Sequence, residues 1–234
     1  MTPLPQLKSR LEALLELLEP CRLLADVGTD HALLPAHAVL RGLAQRALAI
    51  DLRAEPLRAA ARTLSALGVS DRVSLMRGDA LSSLAGLNVD AVVLAGLSGG
   101  TFVRWCAAAP AVVRSLQRLV IQPNGDAANV RRHAYECGLH LQNENIRLEG
   151  GRHFISCAFG PGLGRPDPAY EGRGLSVEQA FELGPLLCAR RDPLALSYYE
   201  LQTRRIWAMG ARGQAEHTAY LETLERGLAG DQLR

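Results

Sequence analysis

Between residues 22 and 125, short apolar runs alternate with stretches whose apolar positions recur every three or four residues. The runs cover residues 23–25, 47–50, 73–76, 89–94 and 119–121, and each has the length of a buried strand. Helical spacing follows over 31–41, 55–67 and 101–115; in the second of these Leu57, Ala60, Ala61, Leu64 and Leu67 keep one stripe, and Gly68 is a stop signal. Strand–helix–strand repeats of this length predict an α/β fold with a parallel sheet. A further helix is predicted over 129–136. Residues 139–148 and 153–159 then flank Glu149-Gly-Gly-Arg152, a β-hairpin signal, so the parallel strands are expected to finish in an antiparallel pair.

The stretch from Gly160 to Gly174 is dense in Gly, Pro and charge and holds neither a helix nor a central strand. It sets the expected boundary between a domain of residues 1–162 and a linker with helices over 163–234. Helical patterns run from 175 to 229, with breaks expected near 190–193 and 210–213.

Composition narrows the picture only a little. Of 234 residues 48% are hydrophobic, which excludes a disordered chain, and no apolar stretch approaches the roughly 20 residues that span a bilayer. Pro3, Pro5, Glu12, Glu16 and Glu19 do not read as a signal peptide, so a cytoplasmic protein without membrane association is expected. Five scattered cysteines, never spaced C-x-x-C, are expected as free thiols with no metal. The net charge is +2 and Lys8 is the single lysine. From residue 174 onward seven arginines face eight acids, so the helical part has no general basic field. Arg131-Arg132, Arg190-Arg191 and Arg204-Arg205 remain as local pairs, each either a phosphate contact or simply solvated.

In an open parallel sheet the site lies beyond the C-terminal strand ends. The first strand runs into Asp26-x-Gly28 and then Asp30-His31; a dinucleotide fingerprint would have two further glycines, so the cofactor is expected to lack a pyrophosphate. Asp51 closes the second strand, where a carboxylate can accept from both hydroxyls of a ribose, and a nucleoside-containing cofactor follows. Asp79 could accept from an adenine amino group or cap the Ser82-Ser83 turn. His31 could be a base or a packed helix residue. Gln122-Pro-Asn124 should break the fifth strand and free its amides for a planar polar ligand, while Gly96, Gly99 and Gly100 allow close backbone approach or a tight turn.

Ala25-Asp-Val-Gly-Thr-Asp-His-Ala-Leu-Leu-Pro35, Leu94-Ala-Gly-Leu-Ser-Gly-Gly-Thr101, Val120-Ile-Gln-Pro-Asn124, Ala169-Tyr-Glu-Gly172 and Leu183-Gly-Pro185 together resemble the bacterial TrmK family, tRNA (adenine(22)-N1)-methyltransferases that use S-adenosylmethionine. The resemblance runs from Leu7 into the C-terminal helices. It implies a Rossmann-like class I methyltransferase domain, a helical, coiled-coil-like C-terminal domain, and tRNA as partner; the oligomeric state stays open between monomer and weak dimer. By position it implies that Asp26, Gly28, Thr29, Asp51, Asp79, Ala80 and Gly96 bind the cofactor. Asp30, His31 and Asn124 would serve the reaction, and Gly99, Gly100, Pro123 and Arg131 the substrate.

Three departures from the family pattern fall on the substrate side. Leu33 replaces a tyrosine, Ser98 lies in a loop one residue longer than usual, and Gly150-Gly-Arg-His-Phe-Ile155 replaces Asp-Gly-Lys-x-Tyr-Glu. Two alternatives therefore accompany the tRNA reading: a methyltransferase for another RNA or a small molecule, and a non-catalytic RNA- or protein-binding module that keeps the pocket.

Overall fold

The structure is a computed structural model that describes residues 4–162, 166–171, 175–210, 215 and 217–229. Its single seven-stranded sheet consists of β1 (Cys21–Val27), β2 (Ala44–Asp51), β3 (Val73–Arg77), β4 (Ala91–Leu97), β5 (Arg118–Pro123), β6 (Leu139–Glu149) and β7 (Arg152–Pro161). The spatial order is β3-β2-β1-β4-β5-β7-β6. The first five strands are parallel, and β7 runs antiparallel to both β5 and β6.

Covering the sheet are α1 (Ser9–Glu16), α2 (Leu33–Leu40), α3 (Ala54–Leu67), α4 (Gly99–Ala108), α5 (Pro110–Ser115) and α6 (Ala127–Glu136). Strands covered on both faces need apolar residues at successive positions, which is why β4 and β5 read as continuous runs. Alternate residues feed two cores: Leu24, Val93 and Val120 pack with α1, α2 and α3, whereas Ala25, Val92 and Leu94 pack with α4, α5 and α6.

The predicted helix over 101–115 is two helices. Pro110 cannot donate to the preceding turn, and it opens α5 at the first position, where no donor is needed. The helix after β1 begins at Leu33 and not at His31, because Ala32 takes a left-handed conformation (φ 51°) that ends the loop.

Among the described residues the helices α7 (Val177–Leu183), α8 (Pro185–Arg190), α9 (Pro193–Ala208) and α10 (Thr218–Ala229) follow. The expected break near 190–193 is present, with Asp192 accepting from Leu194 and Ala195 N–H. An additional break falls at Gly184; the one expected at 210–213 lies largely outside the described residues. Phe181, Leu183, Leu187 and Tyr199 belong to the same apolar cluster as Ile121 and Phe159 of the sheet. These helices share one core with it.

A fully buried ion pair fastens the two parts together. Arg131 of α6 donates from Nε to Glu144 Oε1 of β6 at 2.5 Å, and from Nη1 to the Phe181 carbonyl near the end of α7 at 2.7 Å. Glu144 Oε2 accepts from the N–H groups of Leu186 and Leu187, so the carboxylate satisfies free donors in the first turn of α8. Gly184, with φ 82°, turns the chain between the two helices, and a Cβ there would lie 2.5 Å from Arg131 Nη2. The expectation that Arg131 meets substrate is therefore overturned: its side chain has no exposed surface, and its Nε and Nη1 donate within the fold.

Removing one partner of a buried pair strands the other charge. Glu144→Gln is expected to lower the unfolding free energy by roughly 3–5 kcal/mol, measured by urea denaturation. Arg132→Ala, which breaks the exposed Arg132–Glu178 pair, should cost less than about 1 kcal/mol.

Candidate active site

Because β2 and β3 extend the sheet to one side of β1 while β4 and β5 extend it to the other, the C-terminal ends of β1 and β4 open into a crevice. A cleft of about 590 Å³ lies there. It is lined by Asp26 at the end of β1 and by Gly28, Thr29, Asp30 and His31 of the loop that follows; Gly96 and Asn124 come from the ends of β4 and β5. The loop is anchored by Gly28 and Thr29 N–H, both donating to the Ile50 carbonyl at the end of β2.

Asp26 is 5% exposed and no cation among the described residues pairs with it. Burial pushes its carboxyl up to about 6. The neighbouring pair differs sharply: His31 Nε2 lies 3.3 Å from Asp30 Oδ2, and the two side chains are 56% and 78% exposed. His31 is thus not the packed helix residue that its sequence position also allowed.

Asn124 closes the far side. Its N–H donates to Leu97 O and its side-chain Nδ2 to Gly96 O at 2.5 Å, across a register shift between Ala95 and Leu97. Gly96, whose φ is 74°, sits at this β-bulge, and Ser98 caps α4 by accepting from Thr101 N–H. Gln122, by contrast, is not among the residues that line the cleft. It is fully buried, accepts from Arg10 and donates to the Pro123 carbonyl.

Asp51 closes β2 and Asp79 lies two residues beyond β3, both outside the cleft lining. Asp51 Oδ1 accepts from Arg53 N–H at 2.8 Å, while its other oxygen makes no hydrogen bond to a described residue. Asp79 does not cap the following turn through its side chain; its carbonyl accepts from Ser82 Oγ instead, and Ala80 beside it takes φ 50°. Three residues expected at the substrate are outside the lining of this cleft. Gly99 is buried against Asp126, whose Oδ2 would be 2.7 Å from an added Cβ; Gly100 is exposed on α4; and Pro123 is buried at the end of β5.

The reading of the sequence missed the opposite wall. Lys8, Arg10, Arg152 and Phe154 line the cleft from the segment before α1, from α1 itself and from β7. Arg10 is fixed there by Glu149, which accepts its backbone N–H at 3.1 Å and lies 3.6 Å from its Nε. The only signal for this wall was the placement of the chain's single lysine and of an Arg-x-Phe just past a hairpin turn. Among the described residues, no three or more His, Cys, Asp or Glu group to hold a metal ion, and no helix is long and apolar enough to cross a membrane.

Residues 7–155 match the methyltransferase domain family. The chain belongs to that family. This methyltransferase is 29% identical over 199 residues to a tRNA (adenine(22)-N(1))-methyltransferase of Bacillus subtilis (strain 168), covering 84% of this chain and 82% of the relative. It superposes on the crystal structure of the B. subtilis m1A22 tRNA methyltransferase TrmK with a TM-score of 0.84 at 25% identity, over 95% of this chain and 99% of the other. The fold is also that of M. capricolum TrmK in complex with S-adenosyl-homocysteine, with a TM-score of 0.81 at 19% identity, over 98% and 100% of the two chains.

The buried carboxylate gives a test of the site. With Asp26 near 3.8 when unfolded and near 6 when folded, its neutral form stabilises the native state fully below pH 4, and that contribution is lost as the pH rises through 6. Asp26→Asn should therefore raise stability at pH 7.5 by on the order of 2–3 kcal/mol, with the gain fading toward pH 4 in thermal melts at the two values.

Proposed function

We propose that this methyltransferase transfers the methyl group of S-adenosylmethionine to N1 of an adenine in tRNA, at position 22. The observation that carries the reading is one cleft whose floor holds a buried carboxylate without a counter-charge and whose rim holds exposed polar groups, in a chain similar to TrmK proteins over most of its length. A lone buried carboxylate in a wet cleft is costly unless a cation meets it, and the ammonium of a methionine fits that need. Asp51, with one oxygen unspent, suits a ribose hydroxyl, and exposed Asp79 suits the amino group of an adenine. The residues present fit the cofactor.

S-adenosylmethionine, when bound, supplies a methyl carbon activated by a positively charged sulfur. The chain's own residues have three tasks. Asp26 and Asp51 fix the donor at two ends, so that the approach of the nucleophile is a matter of alignment. Asn124, with one Nδ2 hydrogen held by Gly96 O, offers Oδ1 as an acceptor that matches the adenine amino group. Asp30 stands where positive charge develops on the methylated ring and stabilises it once the base excludes water. N1 carries an in-plane lone pair at neutral pH, so no residue need remove a proton beforehand. Because N1 lies on the Watson–Crick edge, a paired target must leave its stack first.

Incubation with labelled S-adenosylmethionine and bulk bacterial tRNA, followed by nucleoside analysis, should yield N1-methyladenosine; label in another nucleoside, or none, contradicts the reading. Asp51→Ala should weaken cofactor binding at least tenfold by calorimetry, about 1.4 kcal/mol. Asp30→Ala should keep that affinity and lose a hundredfold or so in turnover.

A further inference from the structure

Among the described residues Phe154 is the one phenyl ring that lines the cleft, and it is half-buried on β7. Two guanidinium groups lie over the ring, with Arg10 Cζ 5.9 Å and Arg152 Cζ 5.5 Å from its centroid. The two arginines are not equivalent. Arg10 is locked, its Nε and backbone N–H engaged by Glu149 and its Nη1 donating to Gln122 Oε1 at 3.4 Å, so it acts as a fixed wedge that orients the ring. Arg152 is exposed, and Lys8 lines the same side of the cleft. Two cations beside an aromatic face, in a protein whose net charge is only +2, have the composition of a nucleotide-binding subsite.

Resting on the reading of the protein as a tRNA methyltransferase, we infer that Phe154 is the stacking face for the extruded target base and that Arg152 receives the adjoining phosphate. A base taken out of its helix loses stacking on both sides, and an aromatic ring restores one of them without regard to sequence. Stacking on Phe154 would hold the base with its edge toward Asn124 and Asp30, which supply the hydrogen-bond acceptor and the charge. Arg152, free to swing off the ring, exchanges a weak ring contact for a charge-assisted hydrogen bond to phosphate. Arg10 is a positioning residue in this arrangement.

The test compares wild type with Phe154→Leu, which keeps apolar bulk and loses the aromatic face, and with Phe154→Tyr, which keeps the face. Filter binding of tRNA, S-adenosylmethionine affinity and methyl transfer are measured for each. For Phe154→Leu, tRNA affinity should fall roughly tenfold or more, with KM rising in parallel and cofactor affinity unchanged. Phe154→Tyr should stay within about twofold of wild type. Arg152→Gln should weaken tRNA binding and lower its salt dependence by about one counterion. A Phe154→Leu variant that binds and methylates tRNA as wild type does overturns the stacking face and leaves the functional reading intact. If the wild type transfers no methyl group to tRNA, the functional reading fails, and the tRNA-binding comparison alone decides the fate of Phe154.

Discussion

Growth of the sheet outward in both directions from β1 leaves the ends of β1 and β4 without a crossover helix above them, and the site depends on that gap. The loop after β1 hangs on the Ile50 carbonyl; Asp26, near the end of β1 itself, lies buried at the floor, while Asp30 and His31 of the loop stay in solvent. A carboxylate at that depth is destabilising in the free protein. It is tolerable where a cationic ligand is expected, and this gives the pocket selectivity for a positively charged group at the expense of native stability.

The buried Arg131–Glu144 pair solves a different problem. Helices α7 and α8 are short, and each has an end inside the protein. One guanidinium takes a carbonyl near the close of α7, and one carboxylate takes two N–H groups at the opening of α8. Such a pair contributes little net stability compared with an apolar filling, yet it fixes where the helical part sits on the sheet. The wall formed by β7 and α1 is held by a separate bridge, from Glu149 to Arg10. The cleft is thus framed by contacts between residues far apart in the chain.

That distance explains what the sequence disclosed and what it hid. Strands β1, β2, β4 and β5 were legible as apolar runs because burial on both faces leaves no room for polar residues. The strand-end residues Asp26, Gly28, Asp30 and Asn124 were legible because topology alone puts them at one edge, and the structure does place them around one cleft. Arg131 was misread because neighbours on a helix point about 100° apart. Of Arg131 and Arg132 one faces in and the other out, and only Glu144, on another element, decides which. Phe154 and Arg10 were invisible as a unit, since α1 and β7 meet only in three dimensions. Pro110 was a legible break that the apolar spacing of 101–115 obscured.

Among the described residues Asp26 has no counter-charge, and a cofactor ammonium would supply it. Calorimetry of S-adenosylmethionine binding at pH 6, in buffers of different ionisation enthalpy, measures the protons exchanged. With the carboxyl of the free protein at about 6, binding should release about half a proton, and Asp26→Asn should abolish the release. Binding with no proton exchange in the wild type, or the same exchange in Asp26→Asn, would contradict the account.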